Sequence, residues 1–120
     1  MVIKATEPTK MERAIRFVTA QTVEDLKSFG VDTLYIKVYS NRCGPCRDLS
    51  EFLHSLKVTK DVVVVEVNSD ENTELINAIV RKYKITGIPF FAHVTKDFDD
   101  IENVTGFDPT KIKQMLQCFS

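Results

Sequence analysis

The chain has 120 residues, 43% of them hydrophobic and 28% charged, a composition typical of one globular domain with an ordinary core. Its 16 basic and 17 acidic residues nearly cancel, which disfavours a nucleic-acid-binding role. No apolar stretch approaches the roughly 18 residues of a membrane span, and the N-terminus lacks the apolar segment of a secretory signal. With three cysteines only, a secreted disulfide framework is disfavoured, so we expect a cytoplasmic protein.

The first third of the chain predicts a strand and a short helix after a polar lead-in. We assign residues 1–13 to an N-terminal extension and residues 14–120 to one domain. The apolar residues Ile15, Phe17 and Val18 suggest a strand. Thr22-Val23-Glu24-Asp25 resembles a capping box, so a short helix should follow and end at Gly30.

The middle of the chain alternates between strand and helix patterns. A strand rich in β-formers is predicted at Thr33–Tyr39, and it leads into Cys43-Gly44-Pro45-Cys46. Apolar residues at 49, 52, 53 and 56 then form one face of a helix. The run Val62–Val67 lacks strict alternation, as a strand covered on both faces would. Apolar spacing between Leu75 and Tyr83 predicts another amphipathic helix, with Val80 on its apolar face.

The C-terminal third predicts a hairpin and a last helix. A strand at Ile88–Val94 is followed by a turn at Asp97–Asp100, a weaker strand at Ile101–Thr105, and a helix whose apolar face is Ile112, Met115, Leu116 and Phe119. The predicted order is β-α-β-α-β-α-β-β-α. The alternating strand–helix units imply parallel strands, and the closing hairpin implies an antiparallel edge. We therefore expect an α/β fold with a central mixed β-sheet flanked by helices.

The segment Cys43-Gly44-Pro45-Cys46 is the candidate reactive centre. A thiol reacts as its thiolate, and Cys43 is placed at a helix start, where partial positive charge favours an anion. Arg42 adds a formal positive charge, Gly44 permits the turn, and Pro45 suits a first helical turn. We expect Cys43 to attack a substrate disulfide and Cys46 to resolve the mixed disulfide.

Two other uses of the cysteines fit the sequence less well. A zinc site would need two more ligands, and only Cys118, His54 and His93 are available without a second CxxC, so we expect no metal. A structural disulfide is disfavoured without a secretory signal. We place His54 at the surface and His93 in a half-buried strand. Cys118 is expected to be a packing thiol, with redox regulation as the alternative.

Taken together, these motifs resemble the thioredoxin family over about residues 14 to 119. The resemblance rests on CGPC, the basic Arg47 after it, Lys84-Ile85-Thr86-Gly87-Ile88-Pro89, Val67–Asn72 and the glycine at 106. It implies the thioredoxin fold and a protein disulfide reductase without a bound cofactor. It also implies disulfide-containing protein substrates, a thioredoxin-reductase-type flavoprotein as electron donor, and a monomer.

The resemblance assigns roles to three further residues. Pro89 should follow a cis peptide bond and lie against the CGPC loop, and the Ile88 backbone should pair with an extended substrate segment. Gly106 should leave room for substrate, although an ordinary turn glycine is an equal alternative.

The chain departs from the family at the tryptophan before the first cysteine, replaced here by Arg42, and at the buried aspartate, replaced by Lys37. Arg42 suggests acidic partners, unless it is an inconsequential solvated side chain. Glu66 stands where the aspartate's lysine partner is found, so we infer a buried Lys37–Glu66 contact; the alternative is that both reach solvent. A cationic Lys37 would favour the thiolate forms of the cysteines and so make the protein more oxidising, whereas pairing with Glu66 would oppose this effect. A neutral Lys37 could instead act as the base for Cys46.

Two smaller departures from the family concern local geometry. Glu51 replaces a kinking proline and predicts a straighter helix, while the loop 96–100 lacks a turn glycine. Besides a reductase, a thiol oxidase or isomerase with a raised redox potential and a non-catalytic thioredoxin-fold binding module remain as alternatives.

Overall fold

A computed structural model describes residues 12–116, which form seven strands, three α-helices and one 3₁₀ helix. The strands are β1 (Arg13–Ala14), β2 (Arg16–Thr19), β3 (Thr33–Tyr39), β4 (Lys57–Val58), β5 (Val63–Asn68), β6 (Phe90–Thr95) and β7 (Asp100–Thr105). The helices are the 3₁₀ helix (Glu24–Phe29), α1 (Gly44–Ser55), α2 (Glu74–Tyr83) and α3 (Pro109–Leu116). No helix within residues 12–116 is long and apolar enough to cross a membrane.

Five of the strands form one mixed sheet in the order β2-β5-β3-β6-β7. The strands β2, β5 and β3 run parallel, whereas β6 and β7 run antiparallel to their neighbours. The predicted mixed sheet with a closing hairpin is therefore confirmed.

The core consists of two apolar layers, one on each face of this sheet. Successive valines of β5 serve both layers, because Val63 and Val65 pack on one face and Val64 on the other. All three are fully buried, as predicted for a strand covered on both faces. The first layer contains Leu26 and the apolar side of α2, and the second contains the apolar sides of α1 and α3.

The predicted capping box is present, but the helix that it starts is a 3₁₀ helix. Thr22 Oγ1 accepts a hydrogen bond from the Asp25 amide at 3.1 Å, and the Asp25 carboxylate accepts one from the Thr22 amide at 3.1 Å. The Asp25 carboxylate also accepts a hydrogen bond from the Gln21 amide at 3.0 Å. These two backbone donors, Gln21 first and then Thr22, lower the pKa of Asp25. Gly30 follows with φ of 76°, as expected for a residue that ends a helix.

Several local features differ from the sequence expectations. A two-stranded antiparallel sheet pairs β1 with β4, and it was not predicted, since two-residue strands carry no periodicity. Val80 is 47% exposed, so its predicted place on the apolar face of α2 is wrong. The helix α1 ends at Ser55, and Leu56 is its C-terminal cap. Phe98 adopts φ of 70° in the glycine-free turn between β6 and β7.

Some predictions lie partly outside the described residues. Cys118 and Phe119 follow residue 116, and residues 1–11 precede the described range. The strand β1 begins at Arg13, the last residue assigned to the N-terminal extension. The domain boundary therefore stays a prediction.

Candidate functional site

The two cysteines of the CGPC segment form a disulfide at the start of α1. Cys43 is the N-cap of this helix, and its Sγ accepts a hydrogen bond from the Cys46 amide at 3.1 Å. This is the site at which unpaired amides and the helix dipole stabilise an anion. Cys46 is 3% exposed and Cys43 8%, which confirms that Cys46 is the more buried thiol.

The loop before the cysteines is anchored by the loop that follows β5. The Ser69 amide donates to the Tyr39 carbonyl at 2.7 Å, and the Asn41 amide donates to the Asp70 carboxylate at 2.8 Å. Asn68 Nδ2 also donates to Asn41 Oδ1 at 2.9 Å. Sequence reasoning missed these anchors. The available signal was that polar residues follow two adjacent parallel strands, whose carboxyl ends meet at one edge of the sheet.

Strand register brings Pro89 and Gly106 to that same edge. Val38, near the end of β3, lies opposite Phe90, the first residue of β6, so the preceding Pro89 lies where β3 leads into the CGPC loop. The Ile88–Pro89 peptide bond is cis, as predicted. The Gly106 amide donates to the Pro89 carbonyl at 2.7 Å, which joins the two segments.

Gly106 has a conformation that favours glycine. Its φ is +87°, and a Cβ built on it would meet nothing within 4 Å. The turn therefore accounts for this glycine, and the space beside it is also open, as a substrate-binding role would require. That role stays a prediction.

The inferred contact between Lys37 and Glu66 is confirmed. Lys37 of β3 is in register with Glu66 of β5, and its Nζ donates to Glu66 Oε2 at 2.8 Å. Lys37 is only 1% exposed, so the alternative that it reaches solvent is wrong. The Glu66 side chain is 27% exposed and is the solvent-facing end of the pair.

Two other side chains surround the Lys37 ammonium. Its Nζ also donates to Ser50 Oγ on α1, and it lies 5.3 Å from the centroid of the Tyr39 ring. Burial, and then the carboxylates of Glu66 and Glu71, raise the pKa of Tyr39. Sequence reasoning did not single out Ser50. Its only signal was its position four residues after Cys46, which places both on one side of a helix.

Two cavities lie beside the Lys37–Glu66 pair, and Tyr39 lines both of them. The first, of about 250 Å³, is lined by Tyr39, Ser40, Asn41, Cys46, Arg47 and Ser50. The second, of about 260 Å³, is lined by Thr19, Ala20, Gln21, Tyr39, Glu66, Val67, Asn68, Glu71 and Thr73. One cavity thus contains a reactive cysteine, and the other contains the exposed end of the ion pair.

The remaining candidate residues lie apart from the disulfide or at its rim. Arg42 is exposed beside Cys43, as a docking residue or a solvated side chain would be. His54 is exposed and stacks on Phe17, with ring centroids 4.0 Å apart. His93 is partly buried and stacks on a tyrosine ring at 4.3 Å, and this burial lowers its pKa.

Within residues 12–116, no group of three or more His, Cys, Asp or Glu side chains could hold a metal ion.

Comparisons with known proteins agree with this geometry. The model of the thioredoxin family matches residues 16–118. Human thioredoxin domain-containing protein 2 is 29% identical over 92 residues, 76% of this chain but only 16% of that protein. Thioredoxin 1 of Plasmodium falciparum is 23% identical over 107 residues, 88% of this chain and 98% of the relative. The crystal structure of Malassezia sympodialis thioredoxin has the same fold, with a TM-score of 0.66 at 21% identity over 89% of this chain and 92% of that one.

Proposed function

The chain belongs to the thioredoxin family of thiol–disulfide oxidoreductases, and we propose that it is a protein disulfide reductase. The observation that carries the proposal is the placement of Cys43. As N-cap of α1, its sulfur accepts the Cys46 amide hydrogen and faces the positive end of the helix dipole. This environment favours a nucleophilic thiolate in the reduced protein.

The proposed reaction has two steps, which together transfer two electrons to the substrate. The Cys43 thiolate attacks one sulfur of the substrate disulfide, forms a mixed disulfide and displaces the first substrate thiolate. The Cys46 thiolate then attacks Cys43 sulfur, forms the internal disulfide and displaces the second. The proton of Cys46 leaves for solvent, and each displaced thiolate can take up one proton.

The substrate would bind along the edge that the register brings together. The backbone of Ile88, two residues before the start of β6, would pair with an extended segment of substrate, and Gly106 leaves open space next to Pro89. We propose that disulfide-containing proteins dock here, and that exposed Arg42 favours acidic ones.

The oxidised protein needs an electron donor to complete a cycle. We propose that a thioredoxin-reductase-type flavoprotein supplies the electrons, and that the chain works as a cytoplasmic monomer. Family membership supports this part, and the two-step reaction leaves both cysteines oxidised, so the electrons must come from outside the chain.

The test is turnover of a protein disulfide with a small dithiol as electron donor. The native chain should reduce the substrate catalytically, and Cys43→Ser should abolish turnover. Cys46→Ser should accumulate a covalent mixed disulfide at Cys43, detectable by mass spectrometry and released by reductant. A native chain that gives no turnover over the uncatalysed rate would refute the proposal.

A second candidate function is a thiol oxidase or isomerase, and the buried Lys37 ammonium is the observation that favours it. A cation near the dithiol stabilises thiolates, which exist only in the reduced form, and would make the protein a better oxidant. Glu66 opposes this effect by pairing with Lys37 at 2.8 Å, so we favour the reductase. A purely binding role would instead predict full biological activity for Cys43→Ser.

A further inference from the structure

Lys37 is buried beside α1, and neither cysteine is among its hydrogen-bond partners within residues 12–116. Its ammonium is held by Glu66 Oε2 and by Ser50 Oγ. Ser50 therefore connects the Lys37 ammonium to the helix that begins at the CGPC segment.

Ser50 and Cys46 share one side of α1 and one cavity. They lie four residues apart within the helix, a spacing that makes side chains neighbours. Both line the cavity of about 250 Å³. Both side chains are also short, with the sulfur and the hydroxyl oxygen each attached directly to Cβ.

The direction of the hydrogen bonds decides what Ser50 can do. An ammonium group can only donate, so Ser50 Oγ is the acceptor of the bond from Lys37. Among the described residues, no acceptor is found for the hydroxyl hydrogen of Ser50. That hydrogen therefore remains available for an acceptor that forms when the disulfide is reduced, and its polarity is increased by the cation bonded to the oxygen.

We propose that the Ser50 hydroxyl, polarised by Lys37, donates a hydrogen bond to the Cys46 thiolate and thereby speeds the resolving step. Lys37 is then a positioning residue that acts through Ser50. The inference deepens the proposed function and rests on it. In the step itself, Cys46 releases its proton to solvent, the thiolate attacks Cys43 sulfur, and the substrate thiolate leaves.

The two chemical steps can be followed separately in the full-length chain. The probe is a disulfide of two identical dye-labelled alkyl thiols, which quench each other until the disulfide is cleaved. Attack by Cys43 raises the fluorescence intensity and leaves one dye on the protein. Resolution by Cys46 releases that dye, and the fluorescence anisotropy falls.

Ser50→Ala should leave the intensity phase within about twofold of native and slow the anisotropy phase about tenfold or more, since a hydrogen bond to a charged group is worth at least roughly 1.5 kcal/mol and about 1.4 kcal/mol is tenfold. Ser50→Thr keeps a hydroxyl and should resolve within about threefold of native. Ser55→Ala is the matched control. Its hydroxyl lies on the same helix and donates to the Phe52 carbonyl at 2.7 Å, away from Lys37.

A second variant pair tests the part played by Lys37. In a Lys37→Met background, the hydroxyl loses the cation that polarises it, so adding Ser50→Ala should slow resolution by less than about threefold. The proposal is overturned if Ser50→Ala resolves as fast as native, if it slows both phases equally, or if Ser50→Thr is as slow as Ser50→Ala. It is also overturned if Ser50→Ala keeps its full effect without Lys37. Absence of the intensity phase in the native chain would refute the proposed function as well.

Discussion

The two ends of the Lys37–Glu66 pair should differ in their effect on stability, because they differ in burial. Lys37 is 1% exposed, whereas the Glu66 side chain is 27% exposed toward a cavity. Neutralising Glu66 leaves a buried ammonium without its counter-charge. Neutralising Lys37 leaves a carboxylate that water can still reach.

The magnitudes follow from this asymmetry. Breaking a fully buried pair costs about 3–5 kcal/mol, and partial exposure of Glu66 with the remaining Ser50 contact reduces this, so Glu66→Gln should cost about 2–3 kcal/mol. Lys37→Met keeps the aliphatic stem and should cost about 1 kcal/mol or less. The Lys37→Met/Glu66→Gln double variant should therefore be more stable than Glu66→Gln alone.

Urea unfolding of the disulfide form measures these free energies. With a slope of about 2 kcal/mol per molar urea, Glu66→Gln should lower the midpoint by about 1–1.5 M. Glu102→Gln is the matched control. Glu102 pairs with Lys111 at 3.7 Å, but the two side chains are 42% and 40% exposed, respectively. It should change stability by less than about 1 kcal/mol. A Glu66→Gln cost no larger than that of the control, or smaller than that of Lys37→Met, would refute the reasoning.

Three further predictions concern other sites. Burial lowers the pKa of His93 below 6.5 in the folded chain, so the unfolded chain binds the proton more readily and stability falls as the pH drops below about 6.5. In His93→Phe, the decrease in the free energy of unfolding between about pH 7 and about pH 5 should be smaller than in the native chain. Urea unfolding at both pH values measures this decrease. Gly106→Ala should cost about 1–2 kcal/mol because of its positive φ, whereas Gly44→Ala should stay within about 0.5 kcal/mol; equal melting temperatures would contradict this. Arg42→Glu should slow reduction of an acidic disulfide peptide about tenfold relative to a basic one, and less at high salt; an unchanged ratio would refute an electrostatic role.

The fold could be predicted from the sequence because its main elements carry strong local signals. The β-rich run at Thr33–Tyr39 and the apolar spacing of α1 and α2 specify strand and helix by periodicity alone. The continuous valines of β5 further indicated that its strand is covered on both faces. The β1–β4 pair could not be predicted, because two residues are too few to show a pattern.

The site was predictable only in part, for a physical reason. The CGPC segment follows from residue type. The Lys37–Glu66 contact follows from the resemblance to the family at these two positions, together with the cost of an unpaired buried charge. The contact with Ser50 depends on how α1 packs over β3, and one serine in a helix has no sequence signal of that packing. The error at Val80 has the same origin, because helical spacing does not tell how far the neighbouring elements extend.

The reduction potential of the Cys43–Cys46 pair tests the central claim most directly. It can be measured by equilibrating the native chain in glutathione and dithiothreitol buffers and quantifying the disulfide by thiol alkylation. Our account predicts a value close to about −270 mV, as in reducing members of the family, because Glu66 balances the charge of Lys37. A value between about −180 and −120 mV would contradict it and assign the chain to thiol oxidation or isomerisation.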